Sequence, residues 1–84
     1  MKCLLLLPRG ALFDDEVAMV VARGSEGELG ILPGHAPLLT TLQPGPVRLR
    51  LPGGGERRFR IGGGLLQVRP DGVLILVEEA EEQG

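Results

Sequence analysis

Glycine and proline punctuate this chain so often that little room is left between them for a helix of ordinary length. Turn signals fall at Pro8-Arg9-Gly10, Gly24 to Gly27, Pro33-Gly34, Pro44-Gly45-Pro46, Pro52 to Gly55, Gly62 to Gly64 and Pro70-Asp71-Gly72. Short apolar runs separated by turns at intervals of roughly 8 to 12 residues predict an all-β sandwich or barrel. Ala11 to Val21 comes closest to a helical period, but its valines are β-branched and no helix-ending cap follows. Glu16 to Ala22 is therefore predicted as a strand.

Fourteen glycines and seven prolines in 84 residues could signal disorder, but 43% apolar residues are enough for a packed core. A chain of this length makes one small domain that buries only about 60 to 65% of its unfolded surface, so partners can matter for its stability. With two Phe, no Trp and no Tyr, that core must be built from Leu, Val and Ile. A net charge of −2 argues against a general binder of nucleic acid or of anionic membranes. The single cysteine, Cys3, excludes an intramolecular disulfide and fits a reducing compartment. It reads as a small apolar strand residue rather than a reactive thiol. The leucine run Leu4 to Leu7 is too short for a secretory signal or a membrane-spanning helix, and is predicted as a first strand buried on both faces.

The most constrained stretch runs from Gly24 to Leu42. Gly24, Gly27 and Gly30, spaced by three, allow positive φ or close backbone approach. Pro33 and Pro37 fix their own φ and push Leu32 and Ala36 towards extended geometry. The expected outcome is a short strand over Leu29 to Leu32, a rigid turn carrying His35 at its tip, and a second strand over Leu38 to Leu42. Glu26 and Glu28 flank the first loop. A stiff loop with one imidazole and neighbouring carboxylates is the kind of feature on which binding residues concentrate. On the residues alone, His35 is equally well a turn histidine without a further role.

Further along, Val47 to Leu51 alternates cleanly, and Phe59 and Ile61 share one face of Glu56 to Ile61. A hairpin burying both sets is expected to place Leu49 opposite Phe59 and Val47 opposite Ile61, with Arg48 facing Arg60 and Arg50 facing Arg58. Facing like charges are unfavourable, so carboxylates should lie nearby. A solvated basic face is the leading reading of these arginines, with a docking patch for an acidic partner as the alternative. Val73 to Val77 is uninterrupted and apolar, which predicts a central strand. The domain is expected to span residues 1–77. Residues 78–84, with four glutamates, read as an acidic solvated tail.

No catalytic set emerges. His35 has no Ser or Cys signature around it, and one His plus one Cys cannot supply a recognisable zinc site. The triple glycines at 53–55 and 62–64 lack the Gly-Lys-Ser/Thr ending of a phosphate loop. Asp14-Asp15-Glu16 point in alternating directions in an extended segment and read as a solvated edge. The arginine stripe has no interleaved aromatics for stacking bases. Neither a cofactor nor a metal is expected.

The stretch Gly-Ser-Glu-Gly-Glu-Leu-Gly-Ile-Leu-Pro-Gly-His-Ala-Pro-Leu-Leu-Thr resembles the signature of the epsilon subunit of the F-type ATP synthase, called delta in mitochondria. Pro44-Gly45, Phe59 to Ile61 leading into Gly62 to Val68, and Pro70 before Val73 to Leu76 follow in the order that family shows, so the resemblance covers roughly Leu4 to Val77. It implies a flattened antiparallel β-sandwich acting as a non-catalytic rotor subunit in proton- or sodium-driven ATP synthesis. It also implies a place at the cytoplasmic face of the cell membrane, peripheral and held through the complex. By the same resemblance, Glu28 and His35 would meet the polar loops of the membrane rotor ring, and another surface would pack on the gamma subunit. Gly27, Gly30, Pro33, Gly34 and Pro37 would shape the loops. Many members continue into a helical hairpin that can block hydrolysis and bind ATP; this sequence carries no such segment, so neither property is expected. The competing expectation is a stand-alone ligand-binding barrel or small enzyme with a site at the glycine-rich loops, which would need a pocket where His35 and acids converge.

Overall fold

A computed structural model describes residues 1–84, and every regular element in it is a strand. In chain order these are β1 (Lys2–Leu7), β2 (Gly10–Glu16), β3 (Met19–Gly24), β4 (Gly27–Ile31), β5 (Leu38–Leu42), β6 (Gly45–Arg50), β7 (Glu56–Ile61), β8 (Gly64–Arg69), β9 (Gly72–Val77) and β10 (Ala80–Gln83). Hydrogen bonding follows the path β10-β7-β6-β3-β5-β8-β9-β1-β2, with β4 paired to β3. The path curls back on itself: Phe13 of β2 and Phe59 of β7, near its two ends, meet edge-to-face with ring centroids 6.5 Å apart. β10-β7-β6-β3-β4 thus forms one layer and β5-β8-β9-β1-β2 the other, joined where Gly24 pairs with Leu42.

Strand alternation supplies the core. Leu5, Val20, Ile31, Val47, Leu49, Phe59, Leu66 and Ile75 are completely or almost completely buried, and no polar or charged residue is buried with them. Cys3 belongs to this cluster, where loss of water pushes its thiol up to about 12. It is an inert filler, as the sequence reading had it.

Four expectations need correcting. The sandwich is mixed rather than wholly antiparallel, because β1 runs parallel to β9, with Leu5 beside Ile75. β1 is not buried on both faces: Cys3, Leu5 and Leu7 point inward, while Leu4 and Leu6 are half-buried on the outer face. The β6–β7 hairpin is two residues out of the expected register. Val47 lies opposite Phe59, Leu49 opposite Arg57, Arg48 opposite Arg58 and Pro46 opposite Arg60. A slip of two keeps every side chain on its own face, so alternation could not detect it. The loop sets the register instead: the Leu51 amide donates to the Gly55 carbonyl at 3.1 Å, with Gly54 and Gly55 at φ of +96° and +84°. The expected carboxylates are present, Glu28 at 3.8 Å from Arg48 and Glu56 at 3.5 Å from Arg58.

The fourth correction concerns the acidic tail. Glu81 to Gln83 are exposed and Ala80 is half-buried against the core, but together they form β10, which pairs antiparallel with β7 and sets Glu82 opposite Phe59. A clamp holds it there. The Arg57 guanidinium lies 5.2 Å from the Phe13 ring centroid and 5.6 Å from that of Phe59, and donates from both Nε and Nη2 to the Glu82 carboxylate, the latter at 2.9 Å. The ring faces attract the cation, and the planar fork matches the carboxylate. Val73 to Val77 is central as predicted, paired with β8 on one side and β1 on the other.

Truncating Phe59 removes the largest fully buried side chain. Phe59→Ala should cost about 3–5 kcal/mol, against under about 0.5 kcal/mol for a surface change such as Glu26→Ala, as read from urea unfolding midpoints. The clamp also carries a pH dependence. Hydrogen bonding to Arg57 holds the Glu82 carboxyl below the usual glutamate range. Its contribution is therefore complete above the unfolded pKa and is lost as pH falls through the depressed folded value. Protection factors of the β10 amides, which discount the intrinsic slowing of exchange in acid, should fall selectively on acidification, and Glu82→Gln should remove most of that response.

Candidate functional site

The stretch from Gly24 to Leu42 folds as two strands separated by a stiff turn. β3 and β4 pair from Val20↔Ile31 to Gly24↔Gly27, so Glu28 stands directly across from Arg23 on the outer face. Gly27 has φ of +126°, which an L side chain resists. Gly24 and Gly30 serve the other purpose foreseen for these glycines. A Cβ at Gly30 would lie 2.8 Å from the Met19 Cε, and one at Gly24 would lie 2.9 Å from a Leu29 methyl. β4 has no neighbour on its far side, so its edge is open.

Leu32-Pro33-Gly34-His35 then reverses the chain. Pro33 occupies the second position, Gly34 has φ of +85°, and the His35 amide donates to the Leu32 carbonyl at 3.0 Å, the pattern of a type II turn. Pro37, with no amide hydrogen to satisfy, precedes β5. The His35 side chain is exposed, and its Nδ1 lies 2.7 Å from the Ala36 carbonyl oxygen. Because a carbonyl only accepts, Nδ1 must carry the hydrogen. That bond fixes the ring and leaves Nε2 free for a partner.

Glu28 and His35 are not brought together. They occupy opposite ends of β4, with roughly 10 Å of strand between Glu28 and Ile31, and no hydrogen bond or ion pair links them. Glu28 belongs to the arginine face through Arg48, while His35 borders a shallow groove of about 320 Å³ with Met1, Leu32, Pro37, Val68 and Arg69. No carboxylate lines that groove. Asp14, Asp15 and Glu16 are exposed on β2, with Asp14 at 3.2 Å from Lys2 Nζ.

One surface escaped the residue-by-residue reading. Leu39 is 63% exposed and Leu65 and Leu76 are each 37% exposed. Leu65 and Leu76 are cross-strand neighbours on the outer face, beside half-buried Leu4, Leu6 and Leu74. The signal was present in β9, where both alternating sets are apolar although only one faces the core.

A filled sandwich with no buried polar side chain, a braced histidine turn and an exposed leucine face makes a β-sandwich domain that presents its chemistry on its surface. Comparison with known proteins identifies which kind. The family described as ATP synthase, Delta/Epsilon chain, beta-sandwich domain matches residues 1–83, and the chain belongs to that family. It is 45% identical over 80 residues to the ATP synthase epsilon chain of Acinetobacter baylyi and 41% identical to that of Psychrobacter cryohalolentis, in each case over 95% of this chain and 58% of the relative. The chain thus spans little more than half the length of these relatives. Among solved structures, a chain of the Euglena gracilis mitochondrial ATP synthase OSCP/F1/c-ring assembly superposes with a TM-score of 0.89 at 32% identity, covering 95% of this chain and 51% of that one. A chain from the Tetrahymena thermophila mitochondrial ATP synthase central stalk/c-ring shares the fold, with a TM-score of 0.81 at 24% identity, covering 96% and 65% respectively.

Gly34→Ala forces a side chain into the left-handed region and should destabilise the domain by about 1–2 kcal/mol. Replacing the exposed His35 with Ala should change stability by under about 0.5 kcal/mol. Thermal unfolding of the two variants side by side checks both values.

Proposed function

We propose that this domain is a non-catalytic part of the rotor of an F-type ATP synthase, linking the gamma subunit to the membrane rotor ring. The observation that carries the reading is family membership over essentially the whole chain, together with a closely superposing structural neighbour from an assembly that includes the c-ring. The geometry supports a division of labour. Glu28 and His35 mark the two ends of the open β4 edge, which makes that edge, with its rigid turn, the line of contact with polar ring loops. The leucine face of β5, β8, β9 and β1 is apolar enough to pack on gamma, since contiguous exposed leucines mark protein interfaces. Held this way, the domain sits peripherally at the membrane, on its cytoplasmic face, through the complex alone.

Torque transmission requires that these contacts not slip, and strands joined by Pro-Gly turns deform less than mobile loops. The enzyme or ligand-binding alternative has no matching support, because the groove beside His35 holds no acid and the groove at Gly62 to Gly64, which holds Glu78 and Glu79, holds no histidine.

Affinity purification of the tagged protein from native membranes should recover gamma and ring subunits, and a clean preparation lacking both would refute the assignment. Glu28→Ala combined with His35→Ala should weaken ring association and ATP-driven ion pumping while leaving the unfolding midpoint nearly unchanged. Undiminished pumping in the double variant would remove these two residues from the ring contact.

A further inference from the structure

The outer face of the β4-β3-β6-β7-β10 layer carries five of the chain's eight arginines, Arg23, Arg48, Arg50, Arg58 and Arg60. Arg48 and Arg58 are direct cross-strand partners, an arrangement that costs stability unless anions neutralise it. The chain supplies only part of that neutralisation, through Glu28 beside Arg48 and Glu56 beside Arg58. Arg23, Arg50 and Arg60 make no ion pair, although Glu28, Glu56 and Glu81 are their respective cross-strand neighbours. The face thus carries five arginines against three glutamates, Glu28, Glu56 and Glu81, a positive excess in a chain of net charge −2.

The chemistry of the face narrows what it can hold. All of its cations are guanidinium groups; the only lysine, Lys2, pairs with Asp14 in the other layer. Guanidinium is the cation suited to two-pronged recognition of carboxylate or phosphate. Both phenylalanines are buried, so the face offers no ring on which a nucleic-acid base could stack. Of the five arginines only Arg60 lines a groove, and it shares that groove with Glu79 and Glu81, whose charge disfavours a small phosphate ligand. The exposed large apolar residues, Leu32, Leu39, Leu65 and Leu76, lie elsewhere, so no side chain here would insert into a bilayer. The same layer already binds an acidic strand at its edge, where β10 is fastened by Arg57 and Glu82.

We infer that this arginine face docks an acidic protein segment, an extended stretch bearing Asp or Glu at alternate positions. Arg48 and Arg50 stand about 7 Å apart along β6, the repeat of side chains on one side of an extended chain, so carboxylates at that spacing meet successive guanidinium groups. The docking face borders the proposed ring contact, because Glu28 stands across from Arg23, but Arg23, Arg50 and Arg60 themselves are assigned neither to the ring nor to gamma, so the triple variant tests the docking separately.

The test is fluorescence anisotropy of the full chain with a labelled peptide alternating glutamate and serine, with its glutamine counterpart as control. Saturable binding of the glutamate peptide is expected, weakening as salt is raised. The triple variant Arg23→Gln, Arg50→Gln, Arg60→Gln should bind about tenfold or more weakly. Its circular dichroism should match the parent, and Leu39→Ser should bind like the parent. Equal binding by the triple variant, equal binding of the glutamine peptide, or tighter binding to phosphatidylglycerol vesicles or a single-stranded oligonucleotide than to the peptide would each overturn the inference.

Discussion

Everything in this molecule depends on a thin apolar layer trapped between two curled sheets. With no polar or charged residue buried, the core contributes stability and shape but no chemistry. Whatever the domain does must be done by what it shows on its outer faces, edges and turns. The smallness of the chain sharpens this: a domain of this length is stable by only about 4–13 kcal/mol, so one large core side chain is a sizeable part of the total. Phe59, touching Phe13 across the sandwich and lying under Arg57, closes the end of the layer where it would otherwise meet water.

The strands were legible because their boundaries are written in residues with special backbone demands. Pro33-Gly34 announces a turn whose third residue needs a positive φ, and the structure uses it so. Facing was legible too, since Val47, Leu49, Phe59 and Ile61 alternate with arginines and all point inward. Register and long-range pairing were not. Period-two alternation specifies which side a residue takes and is blind to a slip of two, so Leu49 sits opposite Arg57 instead of Phe59. The parallel pairing of β1 with β9 joins segments some seventy residues apart in sequence, and no local signal encodes it. β10 was hidden for a different reason: its four residues, Ala80 to Gln83, look solvated, and what orders them is one arginine on another strand, braced by two rings.

The candidate site was read from its motif more than from its physics. His35 was expected at the tip of the turn and Glu28 in the loop before a separating strand; both are exposed, but Glu28 lies within β4, His35 closes the turn as its fourth residue, and nothing local in the sequence shows that Glu28 leans towards Arg48. The leucine face was hidden by a habit of reading continuous apolar strands as buried on both sides. β9 does have both of its sides apolar, yet only Val73, Ile75 and Val77 are covered. The remaining side has an appetite for apolar contact that the isolated chain leaves unmet, which is how a subunit interface looks before its partner arrives.

The two sheets present opposite chemistries, leucine on one outer face and arginine on the other, across a body only 22 Å deep in its shortest dimension. A close-packed interior has low compressibility and passes displacement from one side to the other with little loss. A part that must be held on several sides at once gains from this construction. Apolar packing gives a broad, non-directional grip, whereas guanidinium and imidazole contacts fix position and register. In the proposed rotor role, a core without a polar network that could rearrange would let the whole sandwich meet a load at the β4 edge rather than absorb it in one hinge.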